Sequence, residues 1–404
     1  MRATIQPSRL QGQVTVVPSK SQAHRMLICA ALADNPSRIR CTVTSRDIDA
    51  TADCLRALGA EITYQDQVFC VTPITRAAEE ANLPCGESGS TLRFLLPVAA
   101  ALGTRSTFVQ EGRLPERPLS PLAEELEAHG CCLSRPAHDR LLLTGKLSQP
   151  AFTMAADVSS QFISGLLFTL PLLGGGSVRL TGRVESAGYL NMTCQAMRQF
   201  GVDVRWEDDR ICVAPGGYHS PGTMTVEGDW SGAAFWLCAE ALGQPIDCLG
   251  LNEDSAQADR QVRRAIEQIR TGNACISAKD IPDLVPVLAV LAAATPGTTR
   301  FTDAQRLRIK ESDRIASTLA LIRALGGSGE ATADGLVVYG TYPLRGGVCD
   351  SVNDHRIAMS AAIGALACRE PVVLTGAQAV EKSYPTFWQE YARLGGQVQL
   401  EEDI

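Results

Sequence analysis

The chain has 404 residues, 45% of them apolar, and a formal net charge of -7. That length exceeds what one ordinary core supports, so two domains are expected. The acidic balance argues against nucleic acid or an anionic membrane as the main partner, and the longest apolar run, residues 284–294, is far short of a bilayer span.

The opening stretch, MRATIQPSRLQGQVTVVP, reads as strand and turn and lacks the apolar core of a signal peptide. A cytoplasmic, monomeric protein is expected. From Ser21, "SQAHRMLICAALA" starts a series of strongly apolar helices, each opening on a small polar or acidic residue. The others are "SGSTLRFLLPVAAALG" from Ser88, "SSQFISGLLFTLPLLGG" from Ser159, "SGAAFWLCAEALG" from Ser231, "DLVPVLAVLAAATPG" from Asp283 and "DHRIAMSAAIGALA" from Asp354. Their starts lie 67, 71, 72, 52 and 71 residues apart. Helices apolar on nearly all sides belong in a core.

A second series interleaves with the first: a helix ending near Leu-Gly, a strand, a polar turn and a strand, as in "CLRALGAEITYQDQVFCVT" and "AMRQFGVDVRWEDDRICVAPG". The glycines after the helix are Gly59, Gly130, Gly201, Gly272, Gly326 and Gly395, separated by 71, 71, 71, 54 and 69. Glycine there suits a left-handed helix cap. Together the two series predict six βαβαββ units, each with one buried and one surface helix, three to a domain. "TVEGDWSGAA" marks the change of domain, because the spacing shortens just after it. The first strand is expected to join the C-terminal half, since six closed units need the termini to meet. The domains expected are residues 1–18 with 228–404, and residues 19–227.

Helix N-termini carry about half a positive charge and free N–H groups, so they attract anions. Lys20, Arg25, Arg93, Lys310, Arg314 and Arg356 lie at or near the helix starts, and Arg113 and Lys382 lie in turns. An acidic chain that gathers cations in this way points to a small substrate with several negative charges.

Each motif has a plainer reading beside this one. "PSKSQAHR" could be a solvated first turn, yet cations are disfavoured at a helix N-terminus. "GESGSTLR" can cradle an anion with backbone N–H groups or simply cap a helix. "EGRLPERP" is a stiff loop whose arginines suit carboxylate or phosphate. "DVSSQF" offers hydroxyls and an amide. Asp283 would serve as an N-cap, or as a carboxylate doing chemistry among cations. In "RLRIKESDR", Lys310 and Arg314 share a face if a helix starts there, Glu311 is a candidate acid or base, and Asp313 pairs with neighbouring arginines. The fourteen cysteines show no C-x-x-C spacing and read as buried reduced thiols. Five histidines without an H-x₃-H pair give no metal site.

"PSKSQAHR", "GESGSTLR", "GRLPERP", "SSQF", "ESAGY", "VEGDWS", "IPD", "RIKESDR", "DHRIAM" and "EKSYP" stand in the order of the enolpyruvyl transferases, and the chain from Pro18 to Pro385 resembles the EPSP synthase (3-phosphoshikimate 1-carboxyvinyltransferase) family. The resemblance implies an α/β fold, a two-domain inside-out α/β barrel of βαβαββ units with buried parallel helices, and an active site in the cleft between domains. It implies transfer of the enolpyruvyl group of phosphoenolpyruvate to the 5-hydroxyl of shikimate 3-phosphate, without metal or organic cofactor.

By the same resemblance, Lys20, Ser21, Arg25, Ser159, Ser160, Gln161, Ser186, Tyr189, Asp283, Arg306 and Lys310 would bind shikimate 3-phosphate. Lys20, Gly89, Arg113, Gln161, Arg314, Arg356 and Lys382 would bind phosphoenolpyruvate. Asp283 would accept a proton and Glu311 donate one, with Lys20 beside them. Glu87 and Arg306 depart from the family pattern. The rivals are the enolpyruvyl transferase acting on UDP-N-acetylglucosamine, which uses a cysteine where this chain has "EGRLPERP", and a non-catalytic anion-binding protein on the same fold.

Overall fold

A computed structural model describes residues 1–402. The apolar series forms the helices Lys20–Ala31, Gly89–Leu102, Ser160–Thr169, Trp230–Ala241, Val285–Ala293 and His355–Ala365. Burial runs round these helices; all nine residues of Val285–Ala293 are buried. The second series forms Arg46–Leu58, Leu122–Ala128, Ala187–Gln199, Val262–Arg270, Arg314–Ala324 and Phe387–Arg393. These bury a stripe only. In Val262–Arg270 the stripe is Val262, Ala265, Ile266 and Ile269, at helical spacing.

Caps explain where the buried helices start. Ser19, Ser88, Ser159, Asp229 and Asp354 each accept a hydrogen bond from a backbone N–H two or three residues on. The first and fourth helices therefore begin at Lys20 and Trp230, slightly before the expected Ser21 and Ser231. The fifth differs in kind. Asp283 caps nothing: residues Pro282–Leu284 make a 3₁₀ turn, and the helix starts at Val285 without a side-chain cap. The Asp283 carboxylate is thereby left for other partners.

Five of the six sheets among the described residues have four strands, and three repeat one pattern closely. In the clearest, Glu80–Gly86 runs parallel to Arg105–Gln110, which is antiparallel to Arg140–Gly145 and so leads to Cys131–Ala137. Two other sheets are completed from a distance. Thr223–Thr225 pairs parallel with Ser37–Arg40, and Arg2–Ile5 lies between Val372–Thr375 and Val398–Glu401.

The sixth sheet corrects the expectation of six complete units. It holds only Ile246–Leu249 and Gly12–Thr15. After Val262–Arg270 the chain passes straight into Asn273–Ser277, which pairs with Gly297–Thr302 in the next sheet. The hairpin that follows the surface helices Arg46–Leu58, Leu122–Ala128, Ala187–Gln199 and Arg314–Ala324 is missing here, which is why the spacing after Gly272 falls to 54.

The chain divides into two compact units, Met1–Val17 with Gly228–Ile404, and Pro18–Glu227. Each has its own core, one around Trp230, Trp236 and Phe387, the other around Phe94, Phe162 and Phe168. Among the described residues no helix is long and apolar enough to cross a membrane. In the second core, Gly165 packs against the Arg93 carbonyl, so that a Cβ there would collide with it and lie 3.1 Å from the Pro97 ring. Pro97 has no N–H to offer that carbonyl. Glycine and proline together let Ser160–Thr169 approach Gly89–Leu102 closely.

Candidate functional site

In the Pro18–Glu227 unit, the N-terminal ends of three buried helices are tied together. Lys20 Nζ donates to Asp47 Oδ2 at 2.8 Å. The Asp47 carbonyl in turn lies 3.4 Å from the Thr91 hydroxyl. Gln161 accepts from Arg93 Nη1 at 2.7 Å and donates to Ser90 Oγ at 2.9 Å. Lys20, Gly89, Ser159, Ser160 and Gln161 thus sit at neighbouring helix tips.

Arg25 lies deeper. Its guanidinium donates to Thr193 Oγ1, the Ser21 carbonyl and the Tyr189 carbonyl at 2.8, 2.7 and 3.1 Å, and it lies over the Phe94 ring. Burial pulls it down to about 10. These bonds join Ser21 and Tyr189, so helix Ala187–Gln199 is drawn to the same end. Ser186, just before that helix, is buried in the left-handed region at φ +55, a conformation that costs a serine about 1–2 kcal/mol.

The loop "EGRLPERP" divides its two arginines. Arg117 spreads over the tip of the second helix: a Cβ on Gly89 would lie 2.6 Å from its Nη1. Arg113 is half exposed and pairs with Glu116 at 3.5 Å. The expected cation at this tip is therefore Arg117, not Arg113. Glu87, which departs from the family pattern, turns its carboxylate against Gly112 in the same loop.

In the other unit, one arginine gathers three carboxylates. Arg314, 1% exposed, donates from Nε to Asp354 Oδ2 at 2.8 Å, from Nη1 to Asp283 Oδ1 at 2.7 Å and from Nη2 to Glu311 Oε2 at 2.7 Å. Lys310 Nζ and Arg356 Nη2 each lie 3.5 Å from Asp283. Arg356 also donates to the Ser231 carbonyl at 3.2 Å, so the Trp230–Ala241, Val285–Ala293 and His355–Ala365 helices present their starts together. Lys382, buried, donates to the Asn353 carbonyl at 2.6 Å. That carbonyl is held in a turn where Val352 and Asn353 are both left-handed. Arg306 donates to the Lys279 carbonyl at 3.2 Å.

One expectation about "RLRIKESDR" changes, and the pairing of Asp313 with an arginine gains a second role. The helix begins at Arg314, and Lys310 is extended, so the two do not share a helix face. Asp313 is the N-cap, accepting from the Ile315 and Ala316 N–H groups, and Arg308 lies 3.4 Å away. Capping by Asp313 places Arg314 at the first helical position, where its side chain reaches the carboxylates.

Burial alone would raise the Asp283 carboxyl. Lys310, Arg356 and Arg314 outweigh burial and hold it well below the usual carboxylate range. Burial, with Arg314 and Arg306 helping, lowers Lys310 against the pull of Asp283. Two functional candidates escaped the sequence reading. Asp354, fully buried, anchors Arg314 while also capping its own helix. Asp259, also buried, is pushed up to about 7 by burial and by Asp283, with Arg356 opposing. No group of three or more His, Cys, Asp or Glu that could hold a metal ion occurs among the described residues. The fourteen cysteines are unbridged, and nine are buried.

Comparison with known proteins gives a consistent picture. The model of the family described as EPSP synthase (3-phosphoshikimate 1-carboxyvinyltransferase) matches residues 5–391. A 3-phosphoshikimate 1-carboxyvinyltransferase of Clostridium kluyveri is 38% identical over 415 residues, covering 98% of this chain and 97% of that one. One from Clostridium novyi is 36% identical, covering 96% of each. Among solved structures, an EPSP synthase from Acinetobacter baumannii superposes with a TM-score of 0.79 at 24% identity, covering 99% of this chain and all of that one. The enolpyruvyl transferase NikO from Streptomyces tendae gives 0.76 at 19% identity, with 98% of each covered. Those two likenesses speak for the two-domain α/β fold.

Proposed function

The chain belongs to the EPSP synthase family, and from that premise we infer that it transfers the enolpyruvyl group of phosphoenolpyruvate to the 5-hydroxyl of shikimate 3-phosphate and releases phosphate. It does so as a cytoplasmic monomer without a cofactor.

The observation that carries the chemistry is the unequal exposure of the carboxylates around Arg314. The Asp283 and Glu311 side chains are 20% and 23% exposed, whereas Asp354 is fully buried. Asp354 is the anchor, and the other two can meet a ligand.

Phosphoenolpyruvate becomes electrophilic when its methylene carbon is protonated. Glu311 supplies that proton, and Asp283 takes the proton of the attacking 5-hydroxyl. The C–O bond forms to the carbon bearing the phosphate, giving a tetrahedral intermediate. Loss of a methyl proton and of phosphate then restores the enol ether. The substrate-free Asp283 is held too acidic for this role by three cations. Bound phosphate and carboxylate groups compensate Lys310 and Arg356, and Asp283 becomes a stronger base. The phosphoenolpyruvate carboxylate likewise replaces Glu311 on Arg314, which frees Glu311 to hold a proton.

Arg356, Lys382, Arg117, Lys20, Gln161 and the Gly89 tip hold phosphoenolpyruvate. Lys20, Ser21, Arg25, Ser159, Ser160, Gln161, Ser186, Tyr189, Arg306 and Lys310 hold shikimate 3-phosphate, Arg25 by fixing Ser21 and Tyr189. Such fixed donors aimed at developing charge are the largest source of catalysis in sites of this kind.

The test is phosphate release measured with phosphoenolpyruvate and each acceptor in turn. Release is expected with shikimate 3-phosphate and absent with UDP-N-acetylglucosamine. Release with the nucleotide sugar alone, or with neither, overturns the assignment.

A further inference from the structure

A chain of short hydrogen bonds runs through the core beneath the Gly89 tip. His24 Nδ1 is 2.7 Å from Thr51 Oγ1, Thr51 Oγ1 is 2.6 Å from Thr91 Oγ1, and Thr91 Oγ1 is 2.7 Å from Ser88 Oγ. Every member is buried. The chain crosses three helices: His24 on Lys20–Ala31, Thr51 on Arg46–Leu58, Thr91 on Gly89–Leu102, with Ser88 as the cap of the last.

Each hydroxyl has one proton. Thr91 Oγ1 lies 2.7 Å from Ser88 Oγ and a longer 3.4 Å from the Asp47 carbonyl, so within the chain its proton has the nearer oxygen as partner. The chain then points in one of two directions, and His24 decides which. Burial first, then Lys20 and Arg25, hold the imidazole well below its usual range, so it is neutral and carries one proton. His24 Nε2 is buried and has no hydrogen-bond partner among the described residues. Orphaned buried N–H groups are rarer than under-satisfied acceptors. The proton therefore belongs on Nδ1. His24 then donates to Thr51, Thr51 to Thr91, and Thr91 to Ser88. Ser88 Oγ already accepts from the Thr91 N–H at 3.2 Å as well. Its lone pairs are occupied, and its own proton points away from the chain.

We propose that His24 is a positioning residue: it sets the direction of the His24–Thr51–Thr91–Ser88 chain, so that Ser88 offers a hydroxyl proton to an anionic oxygen of phosphoenolpyruvate at the Gly89 tip. With the opposite direction Ser88 would turn a lone pair to the anion and repel it. This rests on the transferase reading for the identity of the anion; the direction of the chain does not.

Two measurements decide it. Histidine ¹⁵N shifts in the whole protein should show His24 protonated on Nδ1; a proton on Nε2 overturns the proposal whatever the enzyme does. In steady-state kinetics, Ser88→Ala and Thr51→Val should each raise KM for phosphoenolpyruvate roughly ten- to hundred-fold, the range for a hydrogen bond to a charged group. The KM for shikimate 3-phosphate and kcat should stay within about two-fold. Thr51→Ser should restore the wild-type value, and Thr51→Val with Ser88→Ala should be no worse than Ser88→Ala alone. Additive effects, or equal rises in both KM values, overturn it. Should the wild type release no phosphate at all, the transferase reading fails while the histidine shifts still test the chain.

Discussion

Arg314 Nη1 donates to Asp283 Oδ1 at 2.7 Å, and the same oxygen lies 3.5 Å from Lys310 Nζ. One carboxylate oxygen thus serves two cations, while Arg356 lies 3.5 Å from the other. Arg314 is also answered by Asp354 and Glu311, so Lys310 and Arg356 are the cations that anionic ligands would share with Asp283. Asp283→Asn and Glu311→Gln should each lower kcat by ~10²–10⁴, the usual range for a positioned acid or base. The KM values should change far less. Near-native turnover in either variant removes that residue from proton transfer.

Arg314→Lys keeps the charge but loses the fork. A lysine ammonium cannot face Asp354, Asp283 and Glu311 at once in fixed directions. Asp354 is fully buried, and leaving it short of a partner should cost about 3–5 kcal/mol. Both the urea midpoint and kcat should fall. A variant that loses activity at wild-type stability would mean that Asp354 finds other compensation.

The two arginines of "EGRLPERP" should separate cleanly. Arg117→Ala should raise KM for phosphoenolpyruvate at least ten-fold, since one lost charged contact is worth roughly 1.5–3 kcal/mol. Arg113→Ala removes only a half-exposed pair with Glu116 and should stay within about two-fold, as such pairs are worth little. The reverse ranking would restore Arg113 to the site.

Asp259 gives a pH signature of defined sign. Its folded value is about 7, above an unfolded value near 4. Between the two, the native state keeps a proton that the unfolded chain has lost. The associated stability is complete below about pH 4 and disappears as pH rises through 7. Asp259→Asn has no proton to lose. Compared with wild type by urea unfolding, it should be about equal at pH 4 and more stable at pH 8, by at most about 4 kcal/mol. A difference that does not change with pH would mean that Asp259 stays ionised throughout.

Much of the fold was legible in the sequence because it rests on local rules. Hydroxyl or carboxylate caps before fully apolar runs, and glycines after striped helices, recur at nearly constant spacing, and the helices lie where that spacing puts them. The site was less legible where position depends on turns without a period. Asp283 has the form of a cap, but the 3₁₀ turn Pro282–Leu284 delays the helix and leaves its carboxylate to the arginines. Arg113 and Arg117 are alike as letters. Only the fold of their loop lays one over Gly89 and leaves the other half exposed. Asp259 lies far along the chain from Asp283 and Arg356, and no short motif signals their meeting. The missing hairpin after Gly272 did leave a trace, the shortened spacing, without revealing its cause.

Gly165 links packing to binding. It has no role in contacting a ligand, yet Gln161 reaches Arg93 and Ser90 only because Ser160–Thr169 lies against the Arg93 carbonyl. Gly165→Ala forces the helices apart, because the obstacle is backbone and cannot rotate away. Overpacking of this kind costs about 1–3 kcal/mol. Its second effect is specific: Gln161 is withdrawn from Arg93, so the KM values of both substrates should rise together. Val98→Ala, a cavity in the facing helix Gly89–Leu102 away from its tip, should destabilise by a comparable amount and leave both KM values in place. If the two variants shift KM alike, the loss follows from general loosening and Gln161 is not the link.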